Sequence, residues 1–374
     1  MRAYIIYERF YDHNGDRLLV GGIESYLLAL ANLLKKKDIQ PIIIQYAKNN
    51  FKIEHNNILI YGYSVKKNKN LYKQLYDKVE RSISHDDIII WGLDRGAQKI
   101  RHLRTISIQH GIPFDYYQEE RRSHKIIKQL HLIHVLKWYQ RRKAIKSFKR
   151  ATYKVCVDYN FWNWFRTFCS PEEEKNIYVI PNFTKCCEFR NFPKVQDSFK
   201  IVFARRFVRM RGIEVFMNVA NYFKNDPRLT FTFAGDGPYL SEIKELQSKS
   251  HNINITQYSP EDAVEFHKRF DIAIIPSLAS EGTSLSLLEA MSAGDAVICT
   301  CVGGMTNVIL DNYNGMFVRP NNPQDIIEAI EKLIQCDKLR IELAHNAQVT
   351  VQAAFSLTIW EKRWGVILDK IINI

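Results

Sequence analysis

The segment from residue 271 to residue 294 constrains the fold most, because it predicts a buried strand, a polar loop and a helix in succession. Its first six residues, D-I-A-I-I-P, are mostly apolar, which is the pattern of a strand buried in a parallel sheet. Leu285, Leu288 and Met291 then recur at helical spacing, and Gly294 stands where a helix ends. The segment therefore predicts an α/β fold, in which ligands bind at the carboxyl ends of the strands.

The loop and the start of this helix combine two kinds of hydrogen-bonding group. The N–H groups of Thr283 to Ser286 form a helix N-terminus that suits a phosphate. Glu281 in the loop and Glu289 in the helix can accept paired hydrogen bonds from sugar hydroxyls. Together these groups favour a nucleotide-sugar, whereas two solvated glutamates on an ordinary strand, loop and helix are the alternative.

The same stretch, E-G-T-S-L-S-L-L-E-A-M-S-A-G, resembles the signature of the retaining family-four glycosyltransferases. The resemblance implies the GT-B fold, with two Rossmann-like domains facing across a cleft. It also implies that Glu281 accepts hydrogen bonds from the donor sugar and that Glu289 holds the ribose. The donor-binding residues implied here are Gly282, Thr283, Ser284, Leu285 and Ser286.

Length and composition fit two domains. The 374 residues are 46% apolar, which is enough for two full cores. No apolar run reaches the roughly 18 residues of a membrane span. The first ten residues lack the features of a signal peptide, so we expect a cytosolic protein or one on the inner face of the cell membrane.

Cysteine usage and charge restrict the partners. Seven cysteines occur without a C-x-x-C pair, which disfavours a metal site or a disulfide framework and favours reduced thiols. The net charge of +13 implies an anionic partner, namely a nucleotide donor, an anionic membrane surface or nucleic acid.

The amino-terminal half begins with a predicted strand over residues 2–8, a long polar loop, and a helix over residues 23–37. Gly21 and Gly22 precede the helix and would let the backbone approach a phosphate closely, although a simple turn is the competing interpretation. The same order of elements opens family-four enzymes, in which this loop faces the donor diphosphate.

His110 follows a predicted strand over residues 104–109. A histidine at the carboxyl end of a strand can hydrogen-bond a sugar hydroxyl or a phosphate oxygen, or it can be purely structural. His-Gly at this place resembles a family feature, which implies that His110 contacts the donor sugar and its phosphate.

Residues 121–150 contain eleven Lys or Arg and no Asp or Glu. Apolar residues lie between these charges at close to helical spacing, and such a basic amphipathic helix is typical of binding to an anionic membrane surface. A helix that packs its apolar side on the domain is an equal alternative. Nucleic acid is disfavoured because no recognition motif accompanies the charge.

The carboxy-terminal half opens with a strand over residues 199–204, followed by R-R-F-V-R-M-R-G. This run is similar to the Gly-Arg-Leu…Lys-Gly run of family-four enzymes, whose Arg and Lys hold the diphosphate. The match places Arg206 on the Arg and Arg211 on the Lys, and both can neutralise a leaving diphosphate. Arg205 stands where the family has Gly and so departs from the pattern. Solvated loop charges are the alternative.

Two further positions are assigned to the donor site. Gly235 begins a G-D-G-P turn that resembles the turn bordering the donor nucleotide in the family, although these residues form turns without any function. Tyr258 follows a predicted strand over residues 252–257, and in relatives the backbone at this place often contacts the base.

The expected architecture has four parts. Residues 1–184 form an acceptor-binding Rossmann-like domain and residues 185–198 a linker. Residues 199–354 form a nucleotide-sugar-binding Rossmann-like domain, and residues 355–374 form a helix that, as in the GT-B fold, crosses back to the first domain.

The sequence thus predicts a retaining glycosyltransferase that uses a nucleoside-diphosphate sugar and a glycan or lipid-linked acceptor, as in bacterial surface polysaccharide synthesis. No Asp-x-Asp supplies metal ligands, so we expect neither a metal nor a cofactor. A GT-B nucleotide-sugar epimerase is one alternative and predicts turnover without an acceptor. A non-enzymatic basic protein that binds membranes or polyanions is the other and predicts binding that collapses with salt.

Overall fold

The computed structural model describes residues 1–19, 21–68, 70–112, 114, 127, 129–192 and 197–373. The chain divides into two compact units: unit 1 comprises Met1–Ile180 with Glu361–Ile374, and unit 2 comprises Pro181–Trp360.

Unit 1 is built on an eight-stranded sheet with the strand order β3-β4-β2-β1-β5-β6-β7-β8. Its strands are β1 (Arg2–Ile6), β2 (Gln40–Ala47), β3 (Phe51–His55), β4 (Ile58–Ser64), β5 (Ile88–Trp91), β6 (Thr105–Gln109), β7 (Tyr153–Cys156) and β8 (Ile177–Val179). Its helices are Gly22–Lys36, Leu71–Val79, Ile133–Phe148, Tyr159–Phe165, Pro171–Glu174 and Leu357–Ile372, with 3₁₀ turns at Glu80–Ser82 and Asp94–Gly96. Neighbouring strands are parallel except for the β3–β4 hairpin, so the carboxyl ends of β1, β5, β6 and β7 share one edge.

The helix Leu357–Ile372 closes the core of unit 1. Trp364 is fully buried, and its Nε1 donates a hydrogen bond to the Tyr26 hydroxyl at 2.9 Å. The predicted return of the terminal helix to the first unit is therefore confirmed.

Unit 2 is built on a six-stranded parallel sheet with the strand order β11-β10-β9-β12-β13-β14. Its strands are β9 (Phe199–Ala204), β10 (Leu229–Ala234), β11 (Ile253–Thr256), β12 (Ile272–Ile275), β13 (Ala296–Thr300) and β14 (Met316–Val318). Its helices are Ile213–Tyr222, Leu240–Ser248, Ala263–His267, Leu285–Ala293, Pro323–Gln335 and Asp337–Ala354, with 3₁₀ turns at Arg209–Arg211, Pro260–Asp262 and Gly303–Asn307.

Side chains that alternate along these strands fill a core on each face of the sheet. Phe203 packs with Phe216 on one face, where their ring centroids are 5.3 Å apart. Val202 and Ala273 belong to the core of the other face, together with Leu288. The strand order changes direction between β9 and β12, which makes the carboxyl ends of these two strands the topological switch point of unit 2.

The segment assigned to the linker makes contacts within unit 2. Arg190 pairs with Asp271 at 3.0 Å, and its backbone N–H donates to the side chain of Gln348 at 3.0 Å. The structure places the boundary between the units after Ile180, against residue 184 in the sequence prediction.

The basic segment differs from its prediction. Residues 121–126 and Lys128 lie outside the described residues, and the described helix is Ile133–Phe148. Ala144, Ile145 and Phe148 of this helix pack in a core cluster of unit 1, as the alternative of a helix packed on the domain expects. Val135 is exposed, and Arg142 follows it after two turns on the same side, so the exposed side carries apolar as well as basic residues.

Candidate active site

Two loops meet at the switch point of unit 2, one after β9 and one after β12. The backbone N–H of Leu278 donates to the carbonyl of Met210 at 3.0 Å. Gly212 has a φ of 78°, and a Cβ at this position would lie 1.9 Å from the carbonyl oxygen of Pro276. Only glycine fits there, because both the left-handed backbone and the close approach exclude a side chain. The two loops are thus fixed against each other.

The centre of this region is the carboxylate of Glu281, which accepts hydrogen bonds from three side chains. Nη2 of Arg205 lies 2.6 Å from Oε1 and 2.9 Å from Oε2. Ser277 donates its hydroxyl to Oε1 at 2.5 Å, and Nη1 of Arg211 donates to Oε2. Nη1 of Arg205 also donates to the Ser277 oxygen at 2.6 Å, so the cluster is closed.

Burial and charge compete at this cluster. The side chain of Glu281 is 13% exposed, and burial opposes its ionisation. The charges of Arg205 and Arg211 outweigh that effect and lower the pKa of Glu281 to about 2. Burial lowers the pKa of the Arg205 guanidinium, and the charge of Glu281 opposes this shift. The cluster therefore carries one net positive charge at neutral pH.

Two glycines after β13 fix the backbone on which Glu281 lies. Gly304 donates its N–H to the carbonyl of Glu281 at 2.7 Å. Gly303 has a φ of 56°, and a Cβ on it would lie 2.4 Å from the same carbonyl oxygen. A Cβ on Gly304 would lie 2.6 Å from the carbonyl carbon of Gly282 and from the nitrogen of Thr283. The two loops thus pack backbone against backbone.

The helix that follows begins where the sequence places a phosphate site. Ser284 is its N-cap, and the first helical hydrogen bond within it runs from the N–H of Leu288 to the Ser284 carbonyl at 3.2 Å. The N–H groups of Leu285 and Ser286 therefore have no partner inside the helix. The Ser284 and Ser286 hydroxyls lie 3.2 Å apart, and the whole group is adjacent to Glu281 in the chain.

Glu289 lies one turn into the same helix. Burial raises the pKa of its carboxyl group, and the charges of His267 and Arg205 partly oppose this shift. Beneath it, Nδ1 of His267 lies 2.7 Å from Asp295, whose pKa burial raises to about 6. His267 and Asp295 were not anticipated from the sequence.

The remaining predicted donor residues of unit 2 have structural roles of their own. Gly235 has a φ of 149°, and a Cβ on it would lie 2.3 Å from the carbonyl oxygen of Arg205. The ring of Tyr258 stacks on Phe266 with centroids 4.5 Å apart, and its hydroxyl donates to the carbonyl of Ala204 at 3.3 Å. Burial raises the pKa of Tyr258.

The arginine beside Glu281 differs from the one that the motif match selects. Arg206 is exposed, whereas Arg205 is buried and joins Arg211 at the carboxylate. In the motif match, Arg205 is only a departure from the family's glycine. Two adjacent arginines offer no signal that tells which one turns inward, so this contact could be seen only in the structure.

In unit 1, His110 follows β6, and its Nε2 lies 3.1 Å from the carbonyl of Gly92. Burial lowers the pKa of His110 to about 4, so the ring is neutral at pH 7 and Nε2 carries the proton that it donates. Nδ1 is then an acceptor. The ring also lies edge-on to Tyr26, with centroids 5.4 Å apart.

Gly21 and Gly22 stand at the start of the helix Gly22–Lys36, with Gly21 as its N-cap. Glu24 folds back over this helix end, because a Cβ on Gly21 would lie 2.5 Å from its Oε2. Tyr7 donates its hydroxyl to Oε1 of Glu24 at 2.9 Å. The carboxylate opposes binding of a phosphate at this helix end.

Two carboxyl groups on the edge of the unit 1 sheet that holds His110 were not anticipated. Asp94 follows β5, and burial raises its pKa to about 7. Asp158 follows β7, and burial raises its pKa to about 6. Each aspartate lies within three positions of the end of an apolar strand, which is a sequence signal for a ligand-binding edge. Solvated carboxylates also follow apolar strands, so this signal alone does not identify a functional residue.

Among the described residues, no group of three or more His, Cys, Asp or Glu is arranged to hold a metal ion. Within the same residues, no helix has both the length and the apolar character to cross a bilayer.

Comparison with known proteins shows similarity to glycosyltransferases. Residues 187–350 match the family model described as glycosyl transferases group 1. An uncharacterized glycosyltransferase of Methanocaldococcus jannaschii, MJ1069, is 23% identical over 95% of this chain and 96% of its own length. A Campylobacter jejuni enzyme named N,N'-diacetylbacillosaminyl-diphospho-undecaprenol alpha-1,3-N-acetylgalactosaminyltransferase is 28% identical over 44% of this chain and 42% of its own length.

Solved structures resemble the chain over its whole length. Sucrose-phosphate synthase from Thermosynechococcus elongatus superposes with a TM-score of 0.78 at 15% identity, covering 100% of this chain and 99% of that one. The Anabaena protein HepE, solved in complex with UDP, superposes with a TM-score of 0.73 at 15% identity, covering 99% of this chain and 100% of that one. Residues 187–350 therefore match glycosyl transferases group 1, and the whole chain has the GT-B fold of these solved structures.

Proposed function

We propose that the chain is a retaining, metal-independent glycosyltransferase that moves a sugar from a nucleoside-diphosphate sugar to a glycan or lipid-linked acceptor. One observation carries the proposal. At the switch point of unit 2, two guanidinium groups pair with a carboxylate that is ionised at neutral pH, and a helix N-terminus follows this carboxylate closely in the chain. Cationic groups and N–H donors bind a diphosphate, and the carboxylate accepts hydrogen bonds from a sugar.

The proposed mechanism assigns the leaving group to unit 2. Arg211 and the N–H groups at Leu285 and Ser286 hold the diphosphate and stabilise the negative charge that develops as the glycosidic bond breaks. Arg206 is exposed in the same loop and adds a second cation. Glu289 binds the ribose hydroxyls, and Glu281 orients the donor sugar. Without a nucleophile assigned beside the sugar, the acceptor attacks from the front face and the diphosphate takes its proton.

Unit 1 is proposed to bind the acceptor. Because Nε2 of His110 donates to the Gly92 carbonyl, its free nitrogen would accept a hydrogen bond from a sugar hydroxyl rather than donate one to a phosphate. This assignment narrows the sequence-based expectation of contact with both groups. Asp94, on the same edge, is a further acceptor for a hydroxyl.

The acceptor class rests on relatives. The name of the Campylobacter enzyme gives it a diphospho-undecaprenol acceptor, which is lipid-linked. We extend this class to the present chain and place it in the synthesis of a bacterial surface polysaccharide.

An exposed surface of unit 1 supports docking on the inner face of the cell membrane. The aromatic-basic patch consists of the exposed apolar residues Leu130, Leu132, Val135, Trp138 and Tyr139 with the basic residues Arg141, Arg142 and Lys143. Trp138 and Tyr139 are 54% and 59% exposed, and the Arg142 guanidinium lies 4.4 Å from the centre of the Trp138 ring. Aromatic rings and basic groups together suit the headgroup region of an anionic leaflet.

A thermal-shift screen against UDP, GDP, TDP, ADP, CMP and their sugars tests the proposed function. We expect one nucleoside diphosphate to raise the melting temperature clearly, since a ligand at a hundred times its Kd adds about 2.7 kcal/mol to the free energy of unfolding. A flat response to every nucleotide would contradict the proposal.

A further inference from the structure

The carboxylate of Glu281 has no room for a sugar hydroxyl in the arrangement described above. A carboxylate offers about four lone-pair sites. Oε1 accepts from Arg205 and Ser277, and Oε2 accepts from Arg205 and Arg211. A hydroxyl of the donor sugar can therefore reach Glu281 only after one of these donors leaves.

Arg211 is the donor whose departure costs least. The side chain of Arg205 is 4% exposed and is held by Ser277 as well, so breaking its contacts would leave a buried charge unpaired. The side chain of Arg211 is 30% exposed, and its contact with Glu281 is a single hydrogen bond. It also belongs to the loop that precedes the helix Ile213–Tyr222, on the side of the cluster that solvent reaches.

We propose that Arg211 exchanges partners during the reaction cycle, pairing with Glu281 in the donor-free enzyme and with the diphosphate once the donor binds. The exchange releases Oε2 of Glu281 for a hydroxyl of the donor sugar, while Arg205 and Ser277 hold the carboxylate in place. Arg205 is then a positioning residue. The inference rests on the proposed function, and it makes recognition of the sugar depend on prior capture of the diphosphate.

Inorganic pyrophosphate tests the exchange without any assumption about the base. Its Kd is measured by calorimetry, without added metal, for the wild type, Glu281→Gln, Arg211→Gln and the double variant. Glu281→Gln removes the carboxylate that competes with pyrophosphate for Arg211. We therefore expect Glu281→Gln to bind pyrophosphate about fivefold more tightly than the wild type does. In the absence of Arg211, the double variant should bind it less than about twofold more tightly than Arg211→Gln does. Any general effect of the unpaired Arg205 charge is present in both backgrounds and cancels.

Glu214→Gln is the matched control. Glu214 pairs with Arg209 of the same loop at 3.3 Å, so the substitution changes the net charge equally and frees a neighbouring guanidinium. We expect it to leave the Kd of pyrophosphate unchanged.

The outcomes separate the two proposals. Equal tightening by Glu281→Gln with and without Arg211 overturns the exchange but leaves the glycosyltransferase function standing. No binding of pyrophosphate or of any nucleoside diphosphate to the wild type overturns both. If Glu281→Gln does not fold, Glu281→Asp replaces it, because aspartate keeps a charge beside Arg205 while its shorter side chain loses Arg211, and the same tightening is expected.

Discussion

The carboxylate of Glu281 pairs with two guanidinium groups, and this pairing makes the stability of unit 2 depend on pH in the acid range. The folded pKa of about 2 lies below the ordinary value of 4.5 for glutamate. The unfolded chain therefore takes up a proton first as the pH falls. The stabilisation is fully present above about pH 5 and is lost as the pH falls toward 2.

Glu281→Gln is accordingly expected to flatten the acid side of the stability curve. Between pH 5 and pH 3 the wild type should lose on the order of 1–2 kcal/mol of unfolding free energy more than the variant, since only the wild type has this carboxylate to protonate. Urea unfolding at both pH values measures the difference. Parallel losses in the two proteins would show that Glu281 is not ionised by its neighbours.

Asp94 should give transfer a dependence on pH near neutrality. Burial raises the pKa of Asp94 in the folded protein to about 7, so its carboxylate forms only as the pH rises through that value. The ionised carboxylate can then accept a hydrogen bond from a substrate hydroxyl. Its effect on stability has the opposite sense, because the stabilisation from the neutral acid is present below about pH 4 and is lost as the pH rises through 7.

We expect kcat/KM of the wild type to rise between pH 6 and 8 and this rise to be absent in Asp94→Asn. The pH dependence of transfer from the donor found in the thermal screen provides the measurement. His110→Gln serves as a comparison, because His110 is neutral across this range and its substitution should lower the rate without changing the shape of the profile.

At the scale of residues, the sequence predicts which charged residues belong to the candidate site better than it predicts which of them pair with each other. Glu281 and Arg211 could both be assigned to the donor site from motif spacing, and the structure brings them into contact. Arg205 could not be assigned, because whether a side chain beside a strand end turns toward the core depends on tertiary packing. The same holds for His267, whose contact with Asp295 joins two separate elements.

At the scale of elements, the loop after β13 is expected to tolerate no side chain at Gly303. A Cβ there would lie 2.4 Å and 2.5 Å from backbone atoms of Glu281, and the left-handed backbone adds strain. Gly303→Ala should therefore lower the unfolding free energy by roughly 1–3 kcal/mol. It should also displace Glu281, so the rate of sugar transfer should fall further than the loss of folded protein explains.

Gly365→Ala is the control for this substitution. Its Cβ would meet nothing closer than 3.6 Å, and the residue lies inside the helix Leu357–Ile372, so we expect unchanged or slightly higher stability. Thermal unfolding and transfer assays of both variants provide the comparison. Similar behaviour of the two variants would remove the argument that the glycine loop positions Glu281.

Elements with a simple period are the ones that the sequence predicts well. The strands β9 and β12 lie in the mostly apolar runs of residues 199–204 and 271–276, and each matches its prediction within one residue at each end. The β3–β4 hairpin was not predicted, although Asn56 and Asn57 both have positive φ, as a two-residue hairpin turn requires. Both strands alternate between more and less buried residues, so the strands and the turn each carry a signal that the sequence prediction did not use.

For the whole molecule, the aromatic-basic patch predicts binding to anionic vesicles. We expect the wild type to sediment with vesicles that contain phosphatidylglycerol, and a Trp138→Ser, Tyr139→Ser, Arg142→Gln variant to remain in solution. Each basic residue near an anionic leaflet contributes about 1 kcal/mol, and the buried rings add apolar area.

A control variant carries Tyr222→Ser and Lys224→Gln in unit 2, where Tyr222 is 60% exposed. It changes the same types of residue outside the patch and should sediment like the wild type. Equal sedimentation of all three proteins, or none by the wild type, would refute the assignment of the patch to the membrane.

Unit 1 is discontinuous in sequence, because the chain leaves it after Ile180 and returns at Glu361. Trp364 fills the core beside Tyr26, so a ribosome must synthesise all of unit 2 before the first unit can close. Until then, the helix that carries Tyr26 exposes an apolar face. Unit 2 is continuous and has no such wait. Unit 1 is therefore the first unit to be synthesised but the last to complete its fold. It is the unit that would depend longer on chaperones.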